Sequence, residues 1–498
     1  MTSPASPSGV DRRAFVKSLS AAGLGLALGA APLHAQPAAR AVRRRRYAIV
    51  GLGSRYRMYH DAIEKTYAEH AELVGLCDLN PGRIALAQKR SADNGAPVPR
   101  GYAHRDFDRM IAETKPDVVL VTTVDATHDD YLVRAMELGC DTVTEKPMTT
   151  TPEKCQRILD ARARTGKLVR VLFNYRYSPP RTQVKDILMS GEIGEVLSVD
   201  FQWLLNTTHG ADYFRRWHGE KKNSGGLMIH KATHHFDLVN WWLGAVPVSV
   251  TATGKREFYT PAMALRFGLT SPHERCHTCP EQAKCGFFMS LADNPGLKAL
   301  YLDQEHHDGY FRDRCVFAPR IDIEDTMNVV VGYDNRTTLS YSLNAFNAWE
   351  GYQIAFNGTL GRLEHAIVEQ VYVNAADSDD AQGAIADGGV RTRVIPLRGP
   401  ARNVTPWTGT GSHGGGDKVM LDDLFLPEPP ADKYLRAADE RAGAHSILIG
   451  AAANQCFTSN QPVDLTRLVT GLGRPDYAPM PDRQAPLPMP ARARIRRG

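Results

Sequence analysis

Residues 225 to 244, GGLMIHKATHHFDLVNWWLG, place three histidines and a lysine within six positions. On a continuous helix His230, His234 and Asp237 share one face, being four and then three residues apart. An i, i+4 histidine pair is a common zinc arrangement. Lys231 argues against that use, because it sets a fixed cation beside the pair, and the zinc-peptidase pattern calls for glutamate directly after the first histidine. Taken alone the stretch leaves three readings open: a metal site, a catalytic centre, or the satisfied polar groups of a buried helix.

The elements that must position these residues begin at residue 47. RYAIVGLGSRYRMY is an apolar strand run, a glycine turn and then helical periodicity. Gly51 and Gly53 let backbone approach a pyrophosphate, which the free N–H groups of the following helix favour, with Ser54 and Arg55 opening that helix. Tyr56 stands at the third glycine position, so the fingerprint is incomplete by itself. Asp78 completes it. It ends the second apolar strand, 25 residues past Gly53, where a carboxylate accepts hydrogen bonds from ribose hydroxyls. A carboxylate there repels a 2′-phosphate, so NAD is expected over NADP, with Arg83 softening the preference. PDVVLVTTVDATH, CDTVTEKPM and KLVRVLFNYRYSP supply further strands, and the alternation with helices predicts a parallel sheet covered on both faces.

Past about residue 182 the pattern changes to strands joined by tight turns. VVVGYDNRTTLSYSL carries YDN at its centre, a hairpin signal. The fold class expected is therefore an α/β Rossmann domain with a parallel sheet, followed by an α+β domain with a large, mostly antiparallel open sheet. Within the second part Cys276, Cys279, Cys285 and Cys315 follow the pattern C-x2-C-x5-C-x29-C. Four thiolates so spaced suit a structural zinc or an iron–sulfur cluster pinning a long insertion, and the competing reading is two disulfides. Cys77, Cys140, Cys155 and Cys456 fall in apolar stretches and read as core.

The net charge of +5 comes from the ends of the chain. The first 46 residues carry eight basic and one acidic side chain, and the tail from 471 carries six and two, so the body is negative. That argues against a broad nucleic-acid surface. DRRAFVKS, with paired Arg12 and Arg13, precedes LSAAGLGLALGAAPLHA, too short and too rich in glycine and alanine for a stable membrane span. It reads as a twin-arginine export signal with cleavage near Ala35, which implies a periplasmic protein handled by the twin-arginine machinery. Such export moves folded proteins, which favours metal over disulfides at the four cysteines. The chain thus divides into a signal at 1–35, an arm at 36–46, an NAD-binding domain at 47–168 and a substrate domain at 169–470. The substrate domain holds the cysteine insertion at about 270–316, and a proline-rich tail at 471–498 is disordered or draped over the surface.

With TTVDATH after the third apolar strand and TEKPM after the fourth, the chain resembles the Gfo/Idh/MocA family of NAD(P)-dependent oxidoreductases over roughly residues 45–470. The resemblance implies that Thr122, Thr123, His128 and Glu145 line the cofactor and that Lys146 of EKP reaches the nicotinamide. The family's second pattern is an aspartate, a histidine four on and an aspartate three further. His234 and Asp237 match the last two, and His230 stands where the aspartate is usual. The chemistry implied is oxidation of a sugar hydroxyl, with His234 as base, Lys146 as electrostatic and proton partner, and His230 and Lys231 near the substrate. Asn174, Arg176, Trp217, His218, His235 and His413 are candidates for further substrate contacts, the indole as a stacking face for a sugar ring. Three functions compete: a sugar or glycoside dehydrogenase, a hydrolase or lyase that oxidises C3 transiently, and a sugar sensor that only binds NAD. Lys146 with His234 argues against the sensor. Tightly held NAD and a homo-oligomer formed through the open sheet complete the expectations.

Overall fold

The computed structural model describes residues 43–270, 272–369, 389–409 and 415–490. The stretch expected to be an export signal at 1–35, most of the expected arm, His413 and the last eight residues lie outside these. Among the described residues sixteen strands run in chain order as β1 (Arg45–Val50), β2 (Ala71–Asp78), β3 (Arg100–Ala103), β4 (Val118–Val121), β5 (Asp141–Thr144), β6 (Val169–Val171), β7 (Val196–Asn206), β8 (Pro247–Lys255), β9 (Thr326–Tyr333), β10 (Thr338–Asn347), β11 (Gly351–Gly358), β12 (Gly361–Val368), β13 (Val390–Pro396), β14 (Arg402–Val404), β15 (Ala438–Asp439) and β16 (Val463–Asp464).

The first sheet has the order β15-β6-β5-β4-β1-β2-β3, and all its pairings are parallel except that of β15. This is the doubly wound order whose ligand crevice opens at the carboxyl ends of the strands, where the chain leaves β1 in one direction and β4 in the other. Strands β1 and β4 are buried almost throughout, as near-continuous apolar runs must be when helices cover both faces. Three elements of this sheet and its covering go beyond the sequence reading: β3, the helix Phe107–Thr114 behind it, and the edge strand β15. Four residues with one buried side chain, Tyr102, give too short a run for periodicity to register. The arm is also shorter than expected. Arg45 and Arg46 belong to β1, paired with Ala71 and Glu72, because Asp141 and Glu72 neutralise this end of the basic run.

The second sheet has the order β14-β13-β12-β11-β7-β10-β9-β8-β16 and is antiparallel apart from the β7–β10 pair. The β9–β10 hairpin turns at YDN as its residues predict, with Arg336 taking the left-handed conformation. Its inner face is covered by the helix Thr233–Leu243 and the long helix Glu440–Ser459, which also packs on β6 and the helix Pro152–Thr165 of the first sheet. One apolar core therefore runs through both sheets. The other face, lined by Gln202, Thr251, Asn328, Ser340 and Gln353 among others, is open. The proline-rich tail is draped over the body as far as Arg483: Ala478 is buried, Arg474 pairs with Asp334 and Arg483 with Glu195, and residues 484–490 are exposed. Among the described residues no helix is long and apolar enough to cross a membrane.

Candidate active site

The glycine turn follows β1 and leads into the helix Tyr56–Asp61. Gly51 has a φ of +89°, and a Cβ there would lie 2.6 Å from backbone atoms of Thr122 and Thr123. Only glycine lets β1 turn this close to the end of β4. Asp78 closes the corner: its carboxylate accepts from Leu52 N–H at 2.5 Å and from Asn80 N–H at 2.7 Å. Burial pushes its carboxyl up, and these two N–H groups and Arg83 oppose that. A cradle that excludes any side chain, next to a backbone-anchored carboxylate at a strand end, fits the pyrophosphate and ribose of a dinucleotide. Gly51→Ala should therefore weaken NAD binding by about tenfold or more, since left-handed backbone and the contact with Thr122 both penalise a Cβ. Calorimetric titration checks this, and an unchanged affinity would remove the turn from the site.

Thr122 Oγ1 donates to Gly51 O at 2.6 Å and so braces the turn, while Thr123 accepts from Thr127 at 2.9 Å. His128 braces as well. Its ring nitrogens face Pro147 O at 2.8 Å and Thr123 O at 3.2 Å, tying together the turns after β4 and β5. This corrects the expectation that His128 itself meets the cofactor. Ser54 is exposed at the turn, whereas the Arg55 guanidinium is held by Glu145, which also accepts from Tyr59. Burial alone would raise the Glu145 carboxyl, yet Arg55, Tyr59 and Lys146 outweigh it and hold it below its ordinary range.

Lys146 lies just past β5, before a cis peptide to Pro147, and its Nζ donates to His230 O at 2.9 Å. Burial pushes the ammonium down to about 8, against the pull of Asp125 and Glu145. His230 in turn has Nδ1 at 2.5 Å from Asp125 Oδ2. Burial is the largest influence on both partners, lowering the imidazole well below its usual value and raising the carboxyl well above its own. Around His230 stand His218, edge-on at 4.2 Å between ring centroids, and Tyr213 at 5.4 Å. Trp217 stacks on His218 at 3.5 Å and is only half-buried, so its indole reaches the opening of the site.

The helix expected over the histidine stretch is broken. Leu227–His230 forms one turn, Lys231 and Ala232 interrupt it, and Thr233–Leu243 starts afresh. His230 closes the first turn and pairs with Asp125, His234 opens the next helix, and among the described residues no metal-holding group includes them. His234 stacks on Tyr175 at 4.3 Å, and the Lys231 ammonium sits over the Trp203 ring at 4.5 Å, 3.4 Å from the Tyr175 hydroxyl. His235 is core, stacked on Trp203 at 4.1 Å with Nδ1 at 2.7 Å from Tyr341 Oη, which corrects its assignment to substrate. Arg176 is corrected likewise: its guanidinium is 1% exposed and makes a two-pronged pair with Asp237 at 2.7 and 2.6 Å. Asn174 is also buried, its amide donating to Asp417 at 2.8 Å.

All four cysteines of the insertion line one cavity of about 30 Å³, together with His273 and Phe287. The Cys276 O···H–N Cys279 turn, at 3.0 Å, is the local geometry of a C-x2-C knuckle. The four are free thiols, and among the described residues no group of three or more His, Cys, Asp or Glu is arranged to hold a metal ion. The expected four-thiolate set is thus gathered but not closed. Two groups that sequence reasoning missed come from far away in the chain. Asp125 was visible inside TTVDATH, but nothing local showed that it meets His230, 105 residues later. The insertion's segment 300–310 lies against the glycine turn and the helix after β2, with no local signal of that placement.

Comparison with known proteins agrees with this geometry. Residues 45–173 match the model "Oxidoreductase family, NAD-binding Rossmann fold", and residues 185–465 match "Oxidoreductase family, C-terminal alpha/beta domain". The chain is 35% identical to YteT of Bacillus subtilis, named as an oxidoreductase, over 84% of this chain and 97% of that one. It is 27% identical to a D-glucoside 3-dehydrogenase of Escherichia coli over 46% of this chain and 62% of the relative. The aldose-aldose oxidoreductase of Caulobacter crescentus shares the fold, with a TM-score of 0.55 at 17% identity over 85% of this chain and all of that one. With both of its sheets matched and its glycine turn, Asp78 and Lys146 where the fold needs them, the chain belongs to the Gfo/Idh/MocA family of oxidoreductases.

Proposed function

We propose that this protein is an exported enzyme that oxidises a ring hydroxyl of a sugar or glycoside with tightly bound NAD, and that the Asp125–His230 pair supplies the base. The observation that carries the reading is the contact at 2.5 Å between Asp125 and His230 Nδ1, with Lys146 Nζ 2.9 Å from the His230 carbonyl. Bound NAD contributes a nicotinamide that accepts a hydride. The chain's own residues handle the proton and the charge. Asp125 fixes the imidazole with Nδ1–H toward the carboxylate, which leaves Nε2 as the acceptor for a hydroxyl proton. Burial keeps that imidazole neutral, hence able to accept. The Lys146 ammonium stabilises the oxygen as it becomes negative, most effectively in a site from which water is excluded. Trp217 offers its half-exposed face to a sugar ring. Asp125, brought in from the turn after β4, fills the role of the aspartate that the family pattern usually has at position 230.

Similarity to a D-glucoside 3-dehydrogenase supports a sugar substrate, and the paired Arg12 and Arg13 before a short apolar run support export. A protein exported folded carries its dinucleotide across, so the cofactor must be restored in place. The test is to purify the exported protein, denature it, and assay the supernatant for NAD, then to screen sugars and glycosides for a change in NADH absorbance. Bound NAD reduced by a sugar is the expected result. Bound NAD with glycoside cleavage and no net NADH would instead establish the redox-neutral route. An empty protein that exchanges NAD freely would overturn the reading.

A further inference from the structure

The cysteine insertion is not an appendage of the substrate domain alone. Its small core of Leu297, Leu300 and Tyr301 takes in Leu86 from the helix after β2. Tyr301 reaches the glycine turn, its hydroxyl accepting from Ser54 N–H at 3.2 Å. Asn80 Nδ2 donates to Gln304 O at 2.9 Å, and a Cβ on Gly82 would lie 1.6 Å from Gln304 Oε1, so the two surfaces are closely fitted.

Arg83 is the centre of this contact. Its Nη1 is 2.8 Å from Asp308 Oδ2 and 3.9 Å from Asp78 Oδ1, and its guanidinium lies 5.6 and 5.8 Å from the ring centroids of Tyr301 and Tyr310. Nε faces Leu300 O at 3.4 Å, while Nη2 is buried without a hydrogen-bond partner among the described residues. A buried donor left unpaired is costly, and a ligand oxygen relieves that cost. The corner also has a definite charge. Two carboxylates, Asp78 and Asp308, face one guanidinium, so a hydroxyl that can both accept from Arg83 and donate to Asp78 suits it, and a dianionic phosphate does not.

We propose that the insertion is part of the dinucleotide site, and that Asp308, by pairing with Arg83 beside Asp78, selects an adenosine ribose with a free 2′-hydroxyl over one bearing a 2′-phosphate. The inference rests on the proposed use of NAD. Without Asp308, Arg83 would be a mobile cation at the 2′ position and would accept the phosphate. Arg83 acts here as a specificity residue whose charge the insertion cancels.

The experiment is a competition on purified full-length protein. Wild type and Asp308→Asn are unfolded and freed of nucleotide, refolded with equal NAD and NADP, desalted and denatured again, and the released dinucleotides are quantified. Asp308→Asn is expected to move the NADP-to-NAD ratio upward by about tenfold, the scale of one charge-assisted contact. Arg83→Gln, which keeps a donor without the charge, is expected to move the ratio downward, and Asp308→Asn on that background to produce no upward shift. The Arg83→Gln protein keeps the question open to refutation even if Asp308→Asn does not fold. A ratio unmoved in either single variant, in a wild type that holds NAD, overturns this inference and leaves the proposed function standing. A wild type that binds neither dinucleotide overturns both.

Discussion

Replacing Lys146 by methionine, which keeps the stem and removes the charge, should lower kcat by about 10²-fold to 10⁴-fold with the fold intact. The ammonium donates to the His230 carbonyl at 2.9 Å, beside the imidazole that Asp125 orients. His230→Ala should cost at least about 10²-fold as well. His234→Ala should cost less, because His234 stacks on Tyr175 while His230 is the imidazole oriented by a carboxylate. The pH profile gives an independent reading. Burial lowers the Lys146 pKa to about 8, so its charged form is present below that pH and lost as pH rises through it. Wild-type kcat should fall over that window, and in Lys146→Met the fall should be absent. The measurement is steady-state turnover on the sugar that reduces bound NAD. Near-native kcat in Lys146→Met, or a larger loss in His234→Ala than in His230→Ala, would refute these roles.

The second large effect is on stability. Asp237→Ala should destabilise the protein by about 3–5 kcal/mol, the usual cost of stranding one partner of a buried ion pair. Arg176 commits Nε and Nη2 to this carboxylate and is sealed by Phe173 and Trp241, with ring centroids 5.8 and 5.9 Å away. Burial pushes the Asp237 carboxyl up to about 6, and Arg176 only partly offsets that. Urea unfolding followed by tryptophan fluorescence measures the loss. Arg176→Met combined with Asp237→Leu should recover most of it, because no charge is then left buried. A single-mutant loss below about 1 kcal/mol would mean that water reaches Arg176, and the pair would carry no structural weight.

How much of this was legible in the sequence varies from residue to residue. The turn at Gly51, the carboxylate at Asp78 and the lysine of EKP could be read because each belongs to a short motif at the end of one strand, where local backbone geometry dictates the residue type. The hairpin at YDN was legible for the same reason. Asn174 and Arg176 looked like ligands for substrate because they follow a strand end, and His235 because it sits in the histidine stretch. Burial decided otherwise for each of them. Arg176 found Asp237 across a helix and His235 found Tyr341 on β10, and neither partner is local.

By itself, then, the sequence determined the two-sheet architecture, the dinucleotide turn and the chemical kind of the site, all of which follow from periodicity and from residue types at fixed short spacing. Only the tertiary structure decided which carboxylate orients which imidazole, because Asp125 and His230 sit on different sheets' loops and meet through the packing of those sheets. It also decided that Lys231 and Ala232 break the histidine helix, and that the cysteine insertion lies on the nucleotide corner. Such contacts depend on how the two sheets and their helices pack around one shared apolar core, and no local pattern of hydrophobic and polar residues encodes that arrangement.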